Sequence, residues 1–200
     1  MDLFSTTQVQ NLLPFDGVAN YHGIVLTKDQ CNFYYQKLLD NITWENDKAI
    51  IFGKTIITKR KVAWYGVSEF AYTYSKITKT ARLFTEELRQ LKAIVEKESG
   101  ETYNSCLLNL YHSGDEGMAY HSDGEKMLKK DGAIASLSLG AERKISFKHK
   151  QTKQRIDIFL ERGSLLVMKD KTQTNWLHRL PPTKKVQVPR INLTFRTIEL

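Results

Sequence analysis

Pro189-Arg190-Ile191-Asn192-Leu193-Thr194-Phe195-Arg196 alternates polar and apolar residues at every position from Arg190 onward. Successive side chains of an extended chain point to opposite faces. Ile191, Leu193, Phe195 and Thr197 therefore share one face, and Arg190, Asn192, Thr194 and Arg196 share the other. A polar face with an arginine at each end describes either a solvated outer surface or the wall of a polar site. The strand alone leaves both open, and its surroundings decide between them.

Upstream, strand-like runs recur at 106–111, 133–139, 143–149, 154–160 and 164–168, ahead of 189–198, divided by turns rich in Gly, Asp, Pro and Lys. Short strands at this spacing predict a sandwich or barrel. The first half of the chain mixes helices and strands. Thr27-Lys28-Asp29-Gln30 reads as a capping box. Cys31, Tyr34, Tyr35, Leu38, Leu39 and Ile42 then recur at helical spacing and predict a helix of about four turns. A second helix beginning near Thr85 carries Leu88, Leu91, Ile94 and Val95 on one stripe and stops before Gly100, a C-terminal cap. Between them, residues 48–57 predict a hairpin around Gly53 whose tip places Phe52 outside the core. The expected class is α+β, mainly β, with the helices covering one face of the strands. A chain of 200 residues buries one sizeable core and is short for two catalytic domains. One domain over 1–200 is expected, with helices and hairpin in about 1–100 and the β core in about 101–200.

The formal net charge of +8 comes from scattered groups: Lys59-Arg60-Lys61, Lys129-Lys130, Lys148/Lys150/Lys153, Lys169/Lys171 and Lys184-Lys185. Such spacing describes a folded basic surface, suited to a polyanionic partner or simply to solubility. Two cysteines far apart, Cys31 and Cys106, exclude a disulfide framework and a Cys-based zinc site, and suit a reducing, intracellular compartment. No run approaches the roughly 18 apolar residues of a membrane span, and the first twenty residues lack a signal-peptide pattern.

His121-Ser122-Asp123 and His178 supply two imidazoles and a carboxylate, the set that binds non-haem Fe(II) on one side and leaves positions free. The i, i+2 spacing brings His121 and Asp123 to the same side of an extended segment. His-x-Asp is common, and His178 by itself reads equally as a packed histidine. The combination carries the meaning. An iron with open positions commonly works with a dicarboxylate co-substrate, which needs cations, and the two-arginine strand provides them. Asn109-Leu110-Tyr111 adds two hydrogen-bonding side chains on one face.

With these motifs the sequence resembles the AlkB family of alkylation-repair dioxygenases over nearly its whole length. The resemblance rests on Asn109-Leu110-Tyr111, His121-Ser-Asp-Gly-Glu125, Gly163-Ser-Leu-Leu-Val-Met168, Asn175-Trp-Leu-His178 and Pro189 to Arg196. It implies a double-stranded β-helix, or jelly-roll, core with N-terminal helices and a β-hairpin nucleotide-recognition lid. It implies Fe(II) held by His121, Asp123 and His178, with 2-oxoglutarate as co-substrate and O2 as oxidant. Arg190, helped by Tyr111 and Asn192, would face the distal carboxylate of 2-oxoglutarate. Arg196 and Asn109 would face the metal-chelating end, with Thr194 on the same face. The implied reaction is oxidative demethylation of N-alkylated bases of the 1-methyladenine and 3-methylcytosine type. It couples to decarboxylation of 2-oxoglutarate to succinate and CO2, with release of formaldehyde.

A methyl on a base edge lies inside the stack, so such an enzyme takes a single strand or flips the nucleotide out. The resemblance singles out Tyr74 as a stacking aromatic with Tyr72 beside it, Glu125 as a reader of the exocyclic amino group, and Phe52 as a finger that fills the vacated gap in duplex DNA. Arg60 and its lysine neighbours are candidate phosphate contacts. Tyr74 in an ordinary strand and Phe52 as a core residue beside a turn are the bland readings. The expected partner is alkylated DNA, single- or double-stranded, or RNA, acted on by a monomer with no obligate protein partner and no membrane. A related RNA demethylase carries the same iron residues. A non-enzymatic nucleic-acid-binding β-sandwich explains the charge and aromatics but not the triad with paired arginines. Protein hydroxylation fits the basic surface less well.

Overall fold

The computed structural model describes residues 9–51, 54–74 and 77–199, with backbone alone at 48–51, 54–56, 72–74 and 77–79. Along the chain run β1 (Val18–Ile24), α1 (Lys28–Asn41), β2 (Glu45–Ile51), β3 (Lys54–Gly66), β4 (Ala71–Tyr74), β5 (Ile77–Thr80), β6 (Arg82–Leu83) and α2 (Glu86–Ser99). The second half holds β7 (Ser105–Tyr111), β8 (Met118–His121), β9 (Ile134–Gly140), β10 (Arg143–His149), β11 (Arg155–Leu160), β12 (Ser164–Lys169), α3 (Thr172–Asn175), β13 (Trp176–Leu180) and β14 (Arg190–Arg196).

Both main helices start where their caps dictate. The Thr27 side chain accepts from the Gln30 amide and the Gln30 side chain accepts from the Thr27 amide, closing the capping box. Thr85 caps α2 through the Leu88 amide, and Gly100 ends it at a φ of 70°, a conformation that glycine adopts without strain. Cys31, Tyr34 and Leu38 of α1 and Leu88, Leu91 and Val95 of α2 are buried.

Among the described residues the strands form an eight-stranded sheet in the order β1-β12-β9-β14-β7-β3-β2, with β6 beside β3, and a four-stranded sheet in the order β11-β10-β13-β8. The β4–β5 hairpin stands apart. Pairing in the two large sheets is antiparallel except between β3 and β6. The first hundred residues thus supply β1, β2, β3 and β6 to the same sheet as β7, β9, β12 and β14. The strands β1 and β13 were not anticipated as such.

Strand β14 lies at the centre, flanked by β7 and β9, and its two faces meet different surroundings. Ile191, Leu193 and Phe195 join Leu88, Leu91 and Val95 of α2 and Leu38 of α1 in the larger apolar core. A second core fills the space between the sheets, with Ile134, Leu166 and Met168 from one and Ile145, Phe147, Ile158 and Trp176 from the other. The polar face of β14 looks into that same inter-sheet space. A solvated outer face is thereby excluded: Arg190 and Arg196 are both buried. Two facing antiparallel sheets with helices behind the larger one constitute the jelly-roll architecture expected.

Leu91 is fully buried beneath the sheet and distant in sequence from the polar face of β14. Leu91→Ala is expected to destabilise the protein by roughly 2–5 kcal/mol. Urea unfolding should show a lower midpoint, while the folded fraction retains its metal-binding stoichiometry.

Candidate active site

His121 at the end of β8 lies directly opposite His178 of β13 in the sheet register, and their rings are 4.3 Å apart. Asp123 follows two residues later, where the chain has left β8, and its Oδ1 is 3.7 Å from His121 Nε2. Donor atoms of His121, Asp123 and His178 all lie within 4.8 Å of one another. A carbonyl can only accept, so His121 Nδ1 carries its hydrogen toward Ala119 O at 2.9 Å and Nε2 presents the lone pair. His178 is buried, and desolvation pushes its pKa down to about 4 against the raising influence of Asp123. It stays neutral at physiological pH, as a metal ligand must.

Asp123 is held from behind. Its amide donates to Gln173 Oε1 at 2.9 Å, Gln173 Nε2 reaches Met168 Sδ at 3.7 Å, and Lys150 Nζ donates to the Gln173 carbonyl at 2.8 Å. Gln173 therefore positions the carboxylate from the short helix α3. No local pattern marked it, because the contact joins segments 50 residues apart.

The three donors open on a cavity of about 180 Å³ between the sheets, lined also by Asn109, Tyr111, Glu125, Arg190, Thr194 and Arg196. All the residues expected around iron and co-substrate converge here. Arg190 is a buried cation on the cavity wall, and burial pulls its pKa down to about 10, so it remains charged at neutral pH. Its Nη2 donates to Ser138 Oγ at 3.0 Å and to Asn192 Oδ1 at 2.8 Å, and its Cζ sits 5.9 Å from the Tyr111 ring centroid. Among the described residues its buried Nε has no partner. A desolvated guanidinium held only by neutral groups, with a donor left over, suits an anionic ligand. Gly140, opposite Arg190 in the register, has a φ of +79° and leaves no room for a side chain: a Cβ would stand 2.5 Å from Pro189 O and 2.8 Å from the Tyr35 ring.

Several residues differ in detail from expectation. Asn192 is committed within the strand face: Oδ1 accepts from Arg190 and from Ser136 Oγ at 2.8 Å, and Nδ2 donates to Thr194 Oγ1 at 2.9 Å. It orients Arg190. Ser136 and Ser138 went unrecognised, although Ser136-Leu137-Ser138-Leu139 alternates just as β14 does. Arg196 Nη1 donates to Glu125 Oε1 at 3.0 Å, so the two form an ion pair at the cavity wall. Asn109 Oδ1, Glu125 Oε2 and Arg196 Nε are buried with no partner among the described residues, and their residues line the same cavity.

Arg60 requires a correction. It is not an exposed phosphate contact but a buried side chain, 7% exposed and ion-paired with Asp47. Alternation along β3 places Arg60 on the face opposite Lys59 and Lys61, and that face is the interior: Lys59 is exposed and Arg60 buried. Tyr72 and Tyr74 lie on β4, but their side chains fall outside the described residues, as does Phe52 altogether.

Two nitrogen donors, one carboxylate, a neutral buried imidazole and an under-satisfied cation in one cavity fit Fe(II) with a dicarboxylate. Residues 17–196 match the 2OG-Fe(II) oxygenase superfamily. The chain is 36% identical over 191 residues to alpha-ketoglutarate-dependent dioxygenase alkB homolog 3 of Homo sapiens, covering 90% of this chain and 66% of the relative. It is 33% identical over 196 residues to DNA oxidative demethylase ALKBH2 of Homo sapiens, covering 92% and 75%. The solved structure of OsALKBH1 matches with a TM-score of 0.65 over 94% of this chain and 99% of that one, and at 16% identity it speaks for the fold. With the match spanning most of its length and a donor set that could hold a metal assembled in the same cavity, the chain belongs to the AlkB family of the 2OG-Fe(II) oxygenase superfamily.

Proposed function

We propose that this protein is a DNA repair enzyme that oxidatively demethylates N-alkylated bases, acting as a monomer in which the whole chain forms one catalytic unit. The observation that carries the reading is the convergence of His121, Asp123 and His178 with buried Arg190 in one inter-sheet cavity. The similarity to DNA oxidative demethylase ALKBH2 supports DNA as the substrate.

His121 Nε2, Asp123 and His178 would hold Fe(II). When bound, the metal supplies activation of O2: one oxygen atom enters succinate as 2-oxoglutarate loses CO2, the other enters the N-methyl group, and the carbon leaves as formaldehyde. The chain's own residues bind and orient. Arg190, aligned by Ser138 and Asn192, pairs with a carboxylate at the closed end of the cavity, and Tyr111 and Asn109 offer it polar atoms. The Arg196–Glu125 pair holds an acceptor carboxylate at the wall, where it can take a hydrogen bond from an exocyclic amino group. Tyr74 and Tyr72 would stack on the base, and Phe52 would fill the gap left in a duplex, offsetting part of the few kcal/mol of unstacking.

The decisive measurement is mass spectrometry of oligonucleotides carrying 1-methyladenine or 3-methylcytosine, as DNA and RNA, with Fe(II) and 2-oxoglutarate. Loss of one methyl mass from DNA and not from RNA is expected, and failure of Phe52→Ala to lower duplex relative to single-strand activity would remove the finger role. Arg190→Ala should raise the KM for 2-oxoglutarate by roughly ten- to a hundredfold, as loss of a charged hydrogen-bonding partner does, with the protein still folded. An unchanged co-substrate dependence would count against that role.

A third expectation follows from His178. Its pKa is about 4 when folded against an ordinary 6.5, so the unfolded chain binds the proton more tightly. The contribution to stability is present above pH 6.5 and is lost as pH falls toward 4. Metal-free protein should unfold at lower urea at pH 5 than at pH 7.5, and His178→Gln should narrow that gap.

A further inference from the structure

The ladder between β2 and β3 is not continuous. Asn46 pairs with Lys61, but Lys48 pairs with Ile57, so Asp47 alone stands against residues 58–60. Such a bulge bends the strand and re-aims a side chain. Asn46 Nδ2 donates to Thr58 O and Thr58 Oγ1 donates to Arg60 O, both at 3.0 Å, which knits the irregular segment together. Arg60 lies on the face opposite Lys59 and Lys61 and points inward, while Lys59 stays exposed.

Inside, Arg60 pairs with Asp47 and donates through Nη1 to Met118 Sδ at 3.1 Å. Its Cζ lies 6.0 Å from the Tyr111 ring centroid, and that of Arg190 lies 5.9 Å from the same ring. Met118 and Tyr111 line the cavity that also contains Arg190. A buried ion pair is weak support for stability, since an apolar pair of similar volume commonly does as well. What the pair does provide is directional: a planar cation fixed at one end by a carboxylate and laid against two side chains of the cavity wall. Strands β2 and β3 continue beyond the bulge into the hairpin, so its setting and that of the wall share one joint.

We infer that Arg60, anchored by Asp47 at the bulge, is a positioning residue that sets Tyr111 and Met118 on the wall of the co-substrate cavity and so couples the β2–β3 hairpin to 2-oxoglutarate binding. This rests on the reading of that cavity as the 2-oxoglutarate site.

The test uses the full chain and three variants, Arg60→Met, Arg60→Lys and the size-matched Asp47→Asn, the last guarding against a variant that fails to fold. Calorimetric titration of 2-oxoglutarate into Mn(II)-loaded protein gives Kd without turnover, succinate formation with Fe(II) gives KM and kcat, and urea unfolding gives stability. Arg60→Met and Asp47→Asn should each raise Kd and KM about fivefold while kcat stays within about twofold, the size of coupling seen between neighbouring groups. Arg60→Lys, which keeps a cation facing Asp47, should recover part of the loss. A lower unfolding midpoint with Kd and KM unchanged in all three variants would reduce the pair to a structural role and overturn the inference. Absence of 2-oxoglutarate binding by the unaltered protein would overturn the site reading itself, and this inference with it.

Discussion

The rest of the structure depends on a full positive charge buried in the protein interior. Arg190 is entirely buried at the centre of the larger sheet, and taking a guanidinium out of water is costly unless its donors are satisfied. Ser138, Asn192 and the Tyr111 ring satisfy part of that need with neutral groups, and Nε is left over. The surrounding strands must therefore be held in strict register. A slip of one residue in β14 would carry Arg190 into the apolar core beneath the helices and Ile191 into the cavity. The two helices enforce the register from one side by packing Leu38, Leu88, Leu91 and Val95 against Ile191, Leu193 and Phe195.

The smaller sheet brings together the residues that could hold a metal by a different route. His121 and His178 come from neighbouring antiparallel strands and meet because the register sets them opposite one another. Asp123 lies beyond the end of its strand and gains its place through Gln173 and Lys150. Two of the donors that could hold a metal are thus supplied by a rigid ladder, and the one on irregular backbone is braced by hydrogen bonds from another segment. This is the arrangement that keeps a preformed ligand set from relaxing around its own repulsions.

Between the two stands Tyr111, near Arg190 on one hand and Arg60 on the other. Through Arg60 the interior reaches the hairpin. The contrast between Arg60 and its lysine neighbours shows how alternation splits a charge run: Lys59 keeps to solvent, and Arg60 becomes part of the interior.

Much of this was written in local pattern. Thr27 to Gln30 and Thr85 to Gly100 fixed the helices because capping is a matter of a few adjacent residues. Period-two alternation gave β14 two chemically distinct faces, and the types and spacing of His121, Asp123 and His178 singled out three residues that the structure brings together. Other assignments were decided only in three dimensions. Whether the polar face of β14 meets water or a cavity depends on the second sheet. That Asn192 orients Arg190, that Gln173 steadies Asp123 and that the face carrying Arg60 is buried all depend on which segments pack together. Alternation and capping act through the backbone over a few residues, whereas burial, orphaned donors and ion pairs arise from which segments pack together, and no local pattern of residues encodes that.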